Sequence, residues 1–395
     1  MTPTERRASF SLASIFALRM LGLFLVLPVF ALEAARLPGG DDAARVGLAM
    51  GIYGLTQGLL QIPFGMASDV WGRKRVICAG LVVFALGSFM AAAATDLTWL
   101  IVGRSVQGAG AISAAVTALL ADTTRDVVRT KAMALVGGSI ALMFALSLVV
   151  APLLASAIGL HGLFALTGTL ALMGIAAVIW WVPPEPVEHV SRPRGSLRDV
   201  LKNPALLRLD FGVFVLHAVQ LAMWVAIPAL LVNAGLGRAQ HWQVYLPAVL
   251  ASFLVMGATL FPLEKRGYLR AVFLAAVAVI ALVQLGLLWL VQAPAPHSLA
   301  VLGGLLFLFF CGFNVLEASQ PSLASRVAPA HARGAALGVY NTLQSLGFFA
   351  GGAVGGWLTQ RHGPQGLFIA CAALMVLWLV IAWPMKAPGH AAVKL

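Results

Sequence analysis

The sequence predicts an all-α integral membrane protein with twelve transmembrane helices in two six-helix bundles. Three observations predict it. The 395-residue chain is 61% hydrophobic and only 10% charged, with a mean hydropathy of +0.93, which leaves too few polar residues to coat a soluble globule of this size. Apolar runs of roughly 20 residues, the length that carries a helix across about 30 Å of hydrocarbon, recur along the chain between short polar breaks. The longest polar interruption, residues 182–202, splits these runs six and six.

The first run, 10–32, is read as a retained span: it lacks an A-x-A-like cleavage site and others follow it at regular spacing. Runs 44–66 and 76–95 flank the loop G-M-A-S-D-V-W-G-R-K-R (65–75), and 97–120, 131–156 and 161–182 complete the first half. The interruption V-P-P-E-P-V-E-H-V-S-R-P-R-G-S-L-R-D-V-L-K has the prolines and mixed charges of a linker with one short amphipathic turn. Runs 206–233, 241–262, 269–291, 298–324, 333–358 and 365–384 form the second half. The expected organisation is an N-terminal bundle over 1–182, a linker over 183–205 and a C-terminal bundle over 206–395 with a short tail.

The halves read as distant copies. The fifth run opens R-T-K-A-M-A-L-V-G-G and the eleventh R-G-A-A-L-G-V-Y-N-T, while Pro28 and Pro228 sit late in the first and seventh. Parallel repeats of this kind place a binding site near the membrane midplane, between the halves.

Twenty of the 26 Lys and Arg residues fall on the side of the N-terminus, four on the other side, and Arg19 and Arg104 inside spans. Cytoplasmic loops carry the cationic excess, so both termini are expected in the cytoplasm. The net charge of +12 is thus a topological signal spread over many loops, and no nucleic-acid partner is expected. Cys78, Cys311 and Cys371 have no C-x-x-C spacing, so neither a disulfide nor a metal is expected.

The 65–75 loop resembles the signature G-x-L-x-D-x-x-G-R-K/R of the major facilitator superfamily, and L-I-V-G-R-S-V-Q-G-A-G-A (100–111) resembles its second motif. R-M-L-G-L-F-L-V-L-P-V, G-I-Y-G-L-T-Q-G-L-L-Q-I-P-F-G, F-N-V-L-E-A-S-Q-P-S-L and G-V-Y-N-T-L-Q-S-L-G are similar to the YajR-type branch of proton-driven drug efflux transporters. The resemblance runs over nearly the whole chain and implies the major facilitator fold in a bacterial inner membrane. It further implies alternating access, protons and a small molecule as the transported partners, and no cofactor; a monomer in the lipid bilayer is expected. Two departures stand out. The branch continues into a small soluble domain, expected to be absent here, and Ala151 replaces the glycine before Pro152 in the efflux pattern G-x-x-x-G-P. The second departure keeps a proton-linked importer of a small metabolite open beside an exporter of lipophilic compounds.

Within the loop, Gly65 permits close helix approach, Gly72 a tight turn, and Asp69 a carboxylate that can face a neighbouring helix N-terminus. The resemblance makes that neighbour the eleventh helix and pairs Arg73 with Asp122. Lys74 and Arg75 are read as topogenic charges. An ionised side chain at the membrane centre costs about 3 kcal/mol unless paired or hydrated, which singles out Arg104, Arg19, Glu317 and His217. Glu317 and His217 are candidates for proton binding, each with a purely structural alternative. Arg104, with Gln107 on its face, resembles the arginine the superfamily associates with coupling, and Arg19 is open between coupling and a helix-end carbonyl or nearby acid. Asn314 shares a helical face with Glu317. Tyr53, Gln57, Gln61, Gln107, Gln220, Asn314, Asn341 and Gln344, with the aromatic Phe24, Trp224, Phe310 and Tyr340, are expected to make an apolar cavity with scattered hydrogen-bonding groups. The glycines of 347–356 predict close helix packing with sliding. No H-E-x-x-H, G-x-S-x-G or G-x-x-x-x-G-K-S/T is present, so an ion gradient rather than ATP is the expected energy source and enzymatic chemistry is not expected.

Overall fold

The computed structural model describes residues 1–185, 197–294, 297–329 and 332–385, and among these it is helical with no strand. Linker residues 186–196 and the cations Arg192, Arg194, Lys386 and Lys394 lie outside the described residues.

The N-terminal half starts with α1 (Pro3–Phe24), whose Thr2 and Glu5 form a reciprocal capping box. Glu5 also receives Arg125 Nε at 2.7 Å, tying the start of α1 to the start of α7 (Asp126–Trp180). Pro28 lacks the N–H that would continue the ladder, so the first span breaks after Phe24 and resumes as α2 (Leu27–Ala34). Next come α3 (Ala43–Trp71), capped by Asp42, and α4 (Arg73–Ala92). The fourth span, expected as one run, breaks at Gly110–Ile112 into α5 (Leu97–Ala109) and α6 (Ser113–Asp122).

The 55 residues of α7 would reach about 80 Å if straight. They double back instead. Arg125, just before α7, contacts Glu5, while the carbonyl of Trp181, just after it, accepts from Arg7 Nε at 2.9 Å. Gly159 makes the reversal at φ 67°, ψ −174°, a conformation that glycine adopts without penalty. The C-terminal half repeats the design: α9 (Pro204–Asn233), α10 (Trp242–Lys265), α11 (Leu269–Gln292), α12 (Leu299–Val327) and α13 (Arg333–Ala382), the last reversing at Gly363 with φ 66°. A short helix, α8 (Leu197–Leu201), occupies the end of the linker.

Eight described helical segments are long and apolar enough to cross a membrane. Two of them, Lys131–Trp180 and Arg333–Ala382, cross twice by reversing; α3 and the α5–α6 pair supply the remaining crossings, making twelve. Their outward faces carry large apolar residues, including Trp180 at 77%, Leu254 at 76% and Val70 at 73% exposure. Such surface is favourable only against lipid.

The halves meet mainly through α3 and α13, and glycine makes this contact. A Cβ on Gly47 would lie 2.3 Å from the Gly352 carbonyl oxygen, and one on Gly54 2.4 Å from that of Ser345. On α13 the glycines divide their work: Gly352 and Gly356 meet α3, whereas Gly347, Gly351 and Gly355 meet α9. Further links lie near the face opposite the N-terminus, where Arg238 Nη1 is 3.3 Å from Glu33 Oε1 and the Ala43 N–H donates to Gln360 Oε1 at 2.8 Å. At the N-terminal face, by contrast, a Cβ on Gly334 or Gly338 at the start of α13 would meet open space. The structure is therefore joined on the face opposite the N-terminus and parted on the N-terminal face.

Because the atom that a Cβ on Gly54 meets is backbone, Gly54→Ala should cost about 1–3 kcal/mol in this joined state. In a background lacking Cys78, Cys311 and Cys371, cysteines placed at Ala43 and Gln360 should react with a short bis-maleimide, and Gly54→Ala should slow that cross-linking. An unchanged rate would show that the α3–α13 seam does not hold this face shut.

Candidate functional site

Between the halves, α9, α12 and α13 bring together His217, Glu317 and Gln344. His217 Nε2 lies 3.3 Å from Glu317 Oε2, and Gln344 Nε2 lies 2.8 Å from His217 Nε2 and 3.4 Å from Glu317 Oε1. The histidine side chain is 2% exposed, the glutamate 39%. His217 Nδ1 sits 2.8 Å from the Val213 carbonyl oxygen, a partner that requires Nδ1–H to donate. The neutral ring then has a bare Nε2 that accepts from Gln344 Nε2 at 2.8 Å, and a proton on Glu317 Oε2 turns its 3.3 Å approach to the same nitrogen into a further hydrogen bond.

An aromatic plug covers this group toward the face opposite the N-terminus. Phe24 and Phe144 pack at 5.1 Å, Phe144 reaches across the halves to Phe310 at 6.2 Å and Phe313 at 6.4 Å, and Phe313 and Phe348 flank His217 at 6.0 and 4.8 Å. Apolar rings thus lie on one side of a carboxylate that is 39% exposed.

Some expected cavity residues belong elsewhere. Asn314 does not line the pocket with Glu317; it is 7% exposed and donates to Ser252 Oγ on α10 at 2.8 Å. The 60° between residues three apart is enough to aim them at different helices. Gln107 is fully buried and links Arg104 Nη1 at 2.6 Å to Ser88 on α4 at 2.9 Å, inside the N-terminal half rather than facing the cavity. Tyr53 is 3% exposed and receives Arg19 Nη2 at 2.8 Å. Gln57, at 3.3 Å from the same nitrogen, is half-buried, as are Asn341 and Gln344. Gln61, Gln220, Trp224 and Tyr340 are buried, each with a polar atom unpartnered among the described residues. Trp224 packs on Tyr245 at 5.3 Å, within the C-terminal half.

The two intramembrane arginines are held by neutral groups. Arg19 bonds Ser113, Tyr53, Gln57 and the Gly110 carbonyl at the end of α5, so its partner is a helix C-terminus and its partial negative charge. Arg104 bonds the α3 carbonyls of Ala49 at 3.3 Å and Met50 at 3.1 Å and lies over the Tyr53 ring at 5.0 Å. Its guanidinium thus fixes α3, the helix that forms the seam with α13.

At the N-terminal face Gly72, at φ 95°, ends α3 and starts α4 in one residue. Arg73 lies between two carboxylates, 2.5 Å from Asp69 Oδ1 and 3.2 Å from Asp122 Oδ2, and donates to Ser68 at 2.6 Å. Gly65 packs against Ala114 of α6. Asp69 is 40% exposed and faces its own motif arginine rather than the start of α13, because the halves are parted on this face. Sequence reasoning missed Glu185: its carboxylate accepts the Arg73 and Lys74 N–H groups at 3.1 and 2.7 Å, capping α4 from the start of the linker. Lys74, read as a topogenic charge, donates to the Val182 carbonyl at 2.7 Å. Also missed was Asp210, 2% exposed on α9; its place seven residues before His217, on the same helical face, was the available signal.

The model of the Major Facilitator Superfamily matches residues 12–352 and 323–394. The inner membrane transport protein YajR of Escherichia coli (strain K12) is 43% identical over 394 residues, covering 99% of this chain and 86% of that protein. An uncharacterized transporter of Buchnera aphidicola (subsp. Acyrthosiphon pisum) is 32% identical over 352 residues, with 88% and 89% covered. Among solved structures, the nucleoside transporter NupG aligns with TM-score 0.75 at 14% identity, covering 95% of this chain and 99% of that one. The human organic anion transporter TETRAN aligns with TM-score 0.71 at 18% identity, covering 96% and 100%. At those identities the likeness is one of fold. The motifs, the paired bundles and these matches together make the chain a member of the major facilitator superfamily, a multi-pass membrane protein of secondary transport and not an enzyme.

Proposed function

We propose that this protein is a proton-driven exporter of lipophilic or drug-like small molecules that works by alternating access, with the N-terminal face in the cytoplasm of a bacterium. The observation that supports the proton reading is the 3.3 Å approach of His217 to Glu317, a carboxylate that is 39% exposed. A proton on Glu317 Oε2 makes that approach a hydrogen bond, and its loss breaks it. Apolar rings with few hydrogen-bonding groups favour a lipophilic cargo over a sugar or polyanion. The cationic excess on the N-terminal side supports the orientation, and the protein acts as a monomer. Ala151 in place of the efflux glycine, buried within α7 beside Pro152, favours one alternative, a proton-linked importer of a small metabolite.

In this reading the Asp69–Arg73–Asp122 cluster is a gate component. When the N-terminal face closes, Asp69 meets the N-terminus of α13 and its pairing with Arg73 is shared. Arg104 and Arg19 set the position of α3 and of the α5–α6 break. No cofactor enters the cycle.

Proteoliposomes with an imposed pH gradient test this. Dye flux, measured in both directions beside small metabolites, should rise several-fold when the gradient drives protons against the dye. Glu317→Gln should abolish the gradient response while leaving gradient-independent exchange; full gradient response in that variant rules out Glu317 as the proton site. Asp69→Asn should lower transport at least several-fold with unchanged abundance in the membrane, and wild-type flux from that variant removes Asp69 from the gate.

A further inference from the structure

Asp210 lies in the second turn of α9, and its Oδ2 is sealed from solvent without a hydrogen-bond partner. It forms no ion pair among the described residues. An ionised carboxylate so placed loses its hydration and gains nothing in return, whereas the carboxylic acid needs a single acceptor.

The groups around it define a layout. From α13 comes Tyr340, 2% exposed, its hydroxyl unpartnered and within electrostatic reach of both Asp210 and Glu317. Trp378, also on α13, packs its indole against Gly212, half a turn along α9 and so on the face away from Asp210. From α12 comes Glu317. The α8 side contributes Asp199 and, just beyond that helix, the exposed Lys202; α9 itself carries the half-buried Arg208 and, two turns on, His217. Tyr340 and Gln344 occupy successive turns of α13, as Asp210 and His217 occupy one face of α9. Two helices therefore present matched polar groups at two depths, one at the Glu317–His217 pair and one nearer the N-terminal face.

We propose that Asp210 is a second proton-binding group, coupled through Tyr340 to the Glu317–His217 pair, so that the C-terminal half takes up two protons. This rests on the proton-driven reading above. In the state open to the N-terminal face Asp210 is buried as the acid; its proton comes from water on that face and returns to water when repacking of α9 against α13 hydrates the carboxylate. No other bond changes. The phenol of Tyr340, buried with no partner of its own and within electrostatic reach of both carboxyls, is the group that makes the two protonations depend on each other.

Infrared difference spectroscopy of the full-length carrier in lipid, titrated from alkaline to acid pH without substrate, reads carboxylic acid carbonyl bands directly. Two titrating components are expected; Asp210→Asn removes one and keeps the other, Glu317→Gln does the reverse, and Tyr340→Phe moves both midpoints. Gel filtration and thermal melting establish that each variant is folded. Bands unchanged by Asp210→Asn, or an Asp210 band that does not respond to pH, overturn the proposal. Should Glu317 titrate alone while dye flux follows the pH gradient, this proposal fails and the exporter stands. Should neither carboxyl titrate and flux ignore the gradient, the proton-driven reading fails with it.

Discussion

Hydrocarbon cannot hydrogen-bond, and every feature of this protein answers to that constraint. Backbone groups are satisfied by helix over nearly all of the described spans, and an ionisable side chain at depth persists where the fold supplies partners or water. The two arginines of the N-terminal half take the first course. Arg19 and Arg104 bond hydroxyls, amides and backbone carbonyls, with aromatic faces beside them, and no carboxylate is required. Glu317 takes the second, its side chain 39% exposed. The N-terminal half is thereby a rigid, positively charged block, while the titratable groups gather in the C-terminal half.

That division fits the mechanics of two packed bodies that rock. Arg104 fixes α3 from behind, and the front of α3 meets α13 with little between the backbones but hydrogen. Close backbone contact maximises dispersion in a setting where burial from water supplies no drive between helices. The same smoothness leaves no interlocking side chains to be withdrawn when the seam opens. Toward the face opposite the N-terminus, the aromatic plug and the Glu33–Arg238 pair add contacts that a change of state must break.

The loop between α3 and α4 is built for exchange of partners. A single arginine held by two carboxylates has a spare bond when one of them leaves, and Glu185 keeps the start of α4 capped whatever Asp69 does. The linker between the halves thus begins at the loop itself, which gives the connection a fixed anchor on the N-terminal half.

Span number and the sixfold division are matters of composition and of the length of apolar runs, and these the sequence by itself determined. The Arg73–Asp122 approach was available from the motif resemblance, since the loop geometry travels with the motif. Direction of side chains was not available. Helical spacing placed Gln107 beside Arg104, and the two bond; it also placed Asn314 beside Glu317, yet which neighbour a residue faces depends on how the helices pack, and packing turned Asn314 to Ser252. The break at Gly110 and the burial of Asp210 likewise arise from contacts far apart in the chain. Tertiary structure alone decided them, because a one-dimensional pattern of apolar residues specifies which groups must leave water but not which partners they find.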